Sequence, residues 1–119
     1  MSSYVSWNFV VKVRDGKLNE FKTLMNTMIE ATKADEPGTS HYEWSFNQDE
    51  TECHLYERYE NSDAVMVHMK NFGSKFAKDF MTCIKPVSFT VYGNPTEDLK
   101  QALTDLRPAY YSQRGGFNR

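Results

Sequence analysis

Apolar and polar positions alternate over residues 5–13. Val5, Trp7, Phe9, Val11 and Val13 share one face and Ser6, Asn8, Val10 and Lys12 the other, a pattern that predicts a strand. The period then lengthens. Over residues 17–33, Leu18, Phe21, Met25, Met28, Ile29 and Thr32 recur at spacings of three and four, the stripe of an amphipathic helix. Asp15-Gly16 can cap it. Asp35-Glu36-Pro37-Gly38 stops it, because proline disfavours helix at the residue before it. Alternation returns in residues 39–46, where Tyr42, Trp44 and Phe46 share a face, and in residues 53–59, where Cys53, Leu55, Glu57 and Tyr59 do. Residues 47–52 form a polar loop between them. Pairing Phe46 with Cys53 sets Trp44 against Leu55 and Tyr42 against Glu57, which gathers the apolar positions on one side of a hairpin and so fixes its register.

Asn61 or Ser62 caps a second helix, with Val65, Met69, Phe72, Phe76 and Phe80 as its stripe and a break or kink at Gly73. Residues 86–92 read as a fourth strand. Asn94-Pro95-Thr96-Glu97 starts a third helix, with Asn94 as cap, proline at the first position and glutamate three after the cap. Leu99, Ala102, Leu103 and Leu106 face inward there, and Pro108 ends it. The order β-α-β-β-α-β, with an extra C-terminal helix and tail, is the ferredoxin-like arrangement: an α+β fold with a four-stranded antiparallel sheet and helices on one face. Residues 1–119 make one domain, with a core at 5–92 and the helix and tail at 94–119. Bulky groups such as Val10 and Tyr56 stand on the strand faces away from the helices, so a second subunit is expected to cover that side. Tyr110, Tyr111 and Phe117 are too apolar to dangle and are expected to pack on a subunit.

Composition narrows the function. The net charge is −2 with both signs interspersed, which excludes the basic face of a nucleic-acid binder. No apolar run is long enough for a membrane span, and the first residues lack the pattern of a signal peptide, so a cytoplasmic protein is expected. Cys53 and Cys83 are far apart and are expected to be free and buried. Seven tyrosines, eight phenylalanines and two tryptophans supply more rings than a core this small needs, which points to an interface or a pocket for a flat ligand.

Particular residues resemble a family. Arg14-Asp15-Gly16-Lys17 followed by Phe21, Glu36-Pro37-Gly38 with Tyr42-Glu43, and Tyr56-Glu57-Arg58-Tyr59 with Ser62, Ala64 and His68 are similar in order and spacing to the antibiotic-biosynthesis monooxygenase domain. The resemblance covers residues 5–92. It implies a homodimeric α+β barrel with a pocket in each subunit between helices and sheet. It also implies oxidation of a quinol-like or phenolic aromatic by molecular oxygen, with no metal or flavin. The haem-degrading branch uses an asparagine on the first strand, where Asn8 stands here, and a tryptophan and a histidine on the second helix. No histidine follows His68, and the expected ligand position falls at or near Phe80, which argues against haem degradation.

Cofactor-free oxygenation asks a protein for a dry aromatic pocket, a base near neutrality and a donor for the oxyanion. His68, at the border of the helical stripe, is the candidate base. Asn8 is the candidate donor, and Tyr42, Trp44, Phe72 and Phe76 are candidate walls. His41, Glu43 and His54 share a strand face, but the register staggers the histidines and supplies no third ligand, so no metal is expected. Glu57, opposite Tyr42 on an otherwise apolar face, is expected to be a structural hydrogen-bonding residue. The rival readings are a non-catalytic dimer that binds a small molecule or serves in stress, and a haem-binding or haem-degrading protein.

Overall fold

The computed structural model describes residues 3–119. The chain runs β1 (Val5–Val13), α1 (Leu18–Asp35), β2 (Thr39–Phe46), β3 (Glu52–Tyr59), α2 (Ser62–Lys75), α3 (Ala77–Cys83), β4 (Ile84–Gly93), α4 (Glu97–Ala102), a 3-10 turn (Thr104–Leu106) and β5 (Ala109–Tyr111). The sheet order is β2-β3-β1-β4-β5. The first four strands are antiparallel, and β5 joins β4 in parallel. This is the expected ferredoxin-like α+β sheet with a short strand added from the tail.

The hairpin has the register that its apolar positions demand: Phe46 opposite Cys53, Trp44 opposite Leu55, Tyr42 opposite Glu57. β1 lies at the centre and turns Val5, Trp7, Phe9 and Val11 toward the helices, all of them buried. Phe21 and Met28 of α1, Val65 of α2, and Phe80 and Cys83 of α3 close over them. Each large apolar side chain buried in this way contributes about 1.5–3 kcal/mol. Cys53 and Cys83 are free and buried, as their spacing suggests. No helix among the described residues is long and apolar enough to cross a membrane.

Four details differ from the pattern. First, α2 continues through Gly73 and breaks at Phe76 (φ −126°, ψ −21°). Glycine permits a break without requiring one. The bend falls where Phe80 must turn onto Phe21 of α1, their ring centroids 5.9 Å apart. Second, α1 has no side-chain cap: Asp15-Gly16 forms a turn with Gly16 in the left-handed region (φ +77°), and Lys17 precedes the helix. Asn61 does cap α2, accepting from the Ala64 N–H at 2.9 Å. Third, the cap of α4 is Thr96, whose hydroxyl accepts from the Leu99 N–H at 3.3 Å. Asn94 still belongs to the sheet, its N–H donating to the Tyr4 carbonyl. Starting two residues later and ending at Ala102 rather than at Pro108, α4 buries Leu99 and leaves Ala102 exposed; Leu103 after it is buried, and Leu106 of the 3-10 turn is half-buried. Fourth, the tail packs on its own subunit as far as Tyr111, through β5, while Phe117 is 78% exposed.

Candidate functional site

His68 lies on the face of α2 that meets the sheet, and it is only 6% exposed. A histidine at the border of the stripe would keep one nitrogen in water. Here both ring nitrogens meet buried carboxylates instead. Nδ1 is 2.7 Å from Glu36 Oε1 and Nε2 is 3.2 Å from Glu57 Oε1. Glu36 follows the last turn of α1, where Pro37 ends the helix, and its side chain is aimed across at α2. Asn71, one turn beyond His68, donates to Glu36 Oε2 at 3.2 Å, and the Thr39 hydroxyl donates to Oε1 at 3.4 Å. Glu57 sits in β3 between Tyr42 of β2 and Trp7 of β1. The Tyr59 hydroxyl also donates to its Oε1. Rings surround the imidazole: Tyr59 at 5.4 Å, Tyr42 at 5.6 Å, Phe72 stacked at 6.3 Å and Trp7 at 6.4 Å.

Beside this trio is a cavity of about 40 Å³, room for two or three waters. Trp7, Phe9, Tyr42, Leu55, Phe72, Phe80 and Phe89 line it, with Glu57 and His68 as its carboxylate and imidazole and Met28, Met69, Met81 and Leu106 completing the wall. Among the described residues, three buried polar atoms in this region have no hydrogen-bond partner: Trp7 Nε1, Trp44 Nε1 and the Tyr42 hydroxyl.

The charges hold one another in place. Burial works against the charge on Glu36, but the hydrogen bond and charge of His68, with Asn71 and Thr39, outweigh it and hold its pKa below the ordinary carboxylate value. Burial likewise works against an imidazolium, and the hydrogen bond to Glu36 with the charges of Glu57 and Glu36 raises His68 above its ordinary value. Tyr42 and Tyr59 are pushed up by burial first and by the Glu57 carboxylate second, so both remain neutral phenols. The carboxylates bind opposite nitrogens of one ring and do not converge on a point. That is an arrangement for moving protons along a line rather than for holding an ion.

Of the residues singled out in the sequence, His68, Tyr42 and Phe72 meet at the cavity. Trp44 stands behind Tyr42, their ring centroids 5.9 Å apart. Phe76 occupies the break between α2 and α3 and packs on the core beyond the cavity. Asn8 stands apart: strand alternation points it away from the helices, so within one subunit it does not share the cavity with His68. Glu57, expected to be a hydrogen-bonding residue, accepts from the Tyr59 hydroxyl and meets His68 Nε2. Glu36 escaped notice because its role depends on a contact across 32 residues, and its place before Pro37 reads only as a helix stop. Trp7 escaped because a strand tryptophan reads as core. The one usable signal was a glutamate at an inward position of β3.

The ferredoxin-like sheet thus carries a buried Glu36–His68–Glu57 trio beside an aromatic-lined cavity. Residues 5–78, more than half of the chain, match the family described as antibiotic biosynthesis monooxygenase, and the chain belongs to that family. Among solved structures it is similar to MupZ from Pseudomonas fluorescens, at 24% identity and a TM-score of 0.84, over 98% of this chain and 94% of that one. It is similar to a candidate antibiotic biosynthesis monooxygenase from Caulobacter crescentus CB15 at 22% identity and a TM-score of 0.64, over 76% of this chain and 88% of that one. It is also similar to Rv0793 from Mycobacterium tuberculosis at 25% identity and a TM-score of 0.61, over 80% and 98% of the two chains. No curated protein matches the chain in sequence.

Proposed function

We propose that the protein is a cofactor-independent monooxygenase of the cytoplasm that oxidises a quinol-like or phenolic aromatic with molecular oxygen, working as a homodimer. The observation that carries this reading is the buried Glu36–His68–Glu57 array opening onto an apolar, ring-lined cavity. A phenolic hydroxyl placed there loses its proton to the Glu57–His68 pair, and its O–H electron pair stays on the substrate. The resulting anion is electron-rich enough to donate an electron to oxygen. Exclusion of water strengthens each charge interaction on the way. Glu57 is the carboxylate that lines the cavity, so the base is the pair and not His68 alone. A two-ring substrate needs more room than about 40 Å³. Met28, Met69 and the exposed Met81 are the side chains suited to give way, being unbranched and adaptable.

The test is oxygen consumption with a reduced naphthoquinol, corrected for autoxidation. The rate should fall about 10²-fold in Glu57→Gln and in His68→Gln, the usual contribution of a general base. It should rise with pH through a value above the ordinary imidazole pKa of about 6.5. A wild-type rate no faster than autoxidation with every quinol tried would leave the non-catalytic binding dimer as the better reading.

One observation favours a second reading. A histidine between two carboxylates can give a proton as imidazolium and take one as neutral imidazole, so the site is also equipped to rearrange a substrate by proton transfer without oxygen. Turnover that proceeds at the same rate under anaerobic conditions separates the two. Haem chemistry draws no support from the geometry, since Asn8 faces away from the cavity.

A further inference from the structure

A second concavity lies behind the trio. It is lined by Ile29, Thr32 and Lys33 of α1, by Glu36 and Pro37, and by Thr39, Ser40 and Tyr42 of β2. Glu36 therefore has two neighbourhoods: Oε1 meets His68 Nδ1 on the inner side, and the residue also lines a cleft flanked by the exposed Lys33 and Ser40. Glu57 lines the inner cavity and Glu36 does not; Glu36 lines the outer cleft and Glu57 does not. His68 bridges them at 3.2 Å and 2.7 Å. The two spaces are joined by one unbroken line of titratable atoms.

We propose that Glu36 is the outlet of a proton relay that carries the substrate's proton from the buried cavity, through Glu57 and His68, to the solvent cleft between α1 and β2. This rests on the reading of the cavity as a site of base chemistry. With the imidazole neutral and its hydrogen on Nδ1, the substrate X–H bond breaks and leaves its electron pair on X. The proton passes to Glu57 and on to Nε2. The hydrogen on Nδ1 passes to Glu36 Oε1 and from there to water in the cleft. One proton enters and one leaves, so the array ends with the charge it began with. Glu36 acts through His68 and not on the substrate. The groups that face the imidazole are Glu36 from the end of α1, Glu57 and Tyr59 from β3, and Tyr42 from β2, with Asn71 of α2 behind Glu36. The two tyrosines remain neutral, so only the carboxylates set the charge that the ring sees.

The experiment combines NMR titration of the protein with ¹⁵N-labelled histidine and turnover of the naphthoquinol. In Glu36→Gln the His68 titration should move down by a unit or more. In Glu36→Ala both the titration and the rate should drop, and formate, a carboxylate small enough to enter the cleft, should restore them in part. A variant that had only lost structure would not respond to formate. Ser40→Trp, which fills the cleft mouth and touches none of the trio, should slow exchange of the Nδ1 hydrogen with water and leave the titration midpoint in place. An unchanged His68 titration in Glu36→Gln, or exchange that is as fast in Ser40→Trp as in wild type, overturns the relay. The NMR arms need no substrate, so they decide the relay even if no quinol turns over, an outcome that would instead count against the oxygenase reading.

Discussion

At the scale of single residues, the trio governs stability as well as chemistry. Replacing His68 by alanine removes the cation between two carboxylates, each about 5% exposed. Breaking a buried ion pair from one side costs about 3–5 kcal/mol, and that loss is expected in urea unfolding of His68→Ala; a loss below 1 kcal/mol would show that water enters the site freely. The pH dependence has a definite sign. Glu36, with its pKa lowered by folding, contributes stability above the ordinary carboxylate value and loses it as pH falls through the lowered one. His68, with its pKa raised, contributes fully below about 6.5 and loses that contribution as pH rises through the raised value. The unfolding midpoint should therefore form a plateau with an acid and an alkaline shoulder, and Glu36→Gln should flatten both. How much of this was readable beforehand follows from the reach of each interaction. His68, Tyr42 and Phe72 were visible as types on local periodicities. Glu36 was not, because a carboxylate's partner 32 residues away leaves no local trace. Asn8 misled because a polar residue among apolar ones draws attention whichever face it takes, and only its parity with Trp7 decides the face.

At the scale of elements, the strands and their pairing were legible because a one-residue slip would have turned every apolar side chain outward. The helix ends were less so. The pattern before α4 points to Asn94 as its cap, but Thr96 fills that place, and the Asn94 N–H instead donates to the Tyr4 carbonyl beside the end of β4. What sets the trio's geometry is the turn from α1 into β2. Gly38 lies so close to the first turn of α2 that a Cβ there would come within 2.7 Å of the Ala64 Cβ. Gly38→Ala must push α2 away, and α2 carries His68. Overpacking of this kind costs about 1–3 kcal/mol. The variant should be destabilised by that amount and its His68 titration should move toward the ordinary value, because the contact to Glu36 lengthens. Adding Ala64→Gly removes the clashing methyl, and recovery of the titration in the double variant separates a displaced helix from a damaged turn.

At the scale of the whole molecule, the helices cover one face of the sheet and leave the other bare in the single chain. Val10 and Tyr56 stand on that face, and the tail extends it: Tyr92 of β4 and Tyr111 of β5 are 39% and 60% exposed with ring centroids 6.1 Å apart. The tail was read as packing on a subunit. Residues 109–111 do so by adding a parallel strand, a pairing that three residues with no partner pattern of their own could not announce, while Phe117 stays largely exposed. The result is a wider sheet whose outer side carries aromatic rings at its edge, a surface that in water favours association. The expected assembly is a homodimer joined through these outer faces and burying well over ~1,000 Å² in total. Light scattering at micromolar concentration should give twice the mass of one chain. Val10→Asp, on the outer face of the central strand, should give the mass of one chain with unchanged far-ultraviolet circular dichroism, because it places a charge in the interface without touching the core beneath the helices. Tyr111→Asp should weaken the dimer if the tail lies within the interface and leave it intact if β5 only borders it. A wild-type protein that scatters as a monomer removes the dimer, and the bare face must then be explained by another partner.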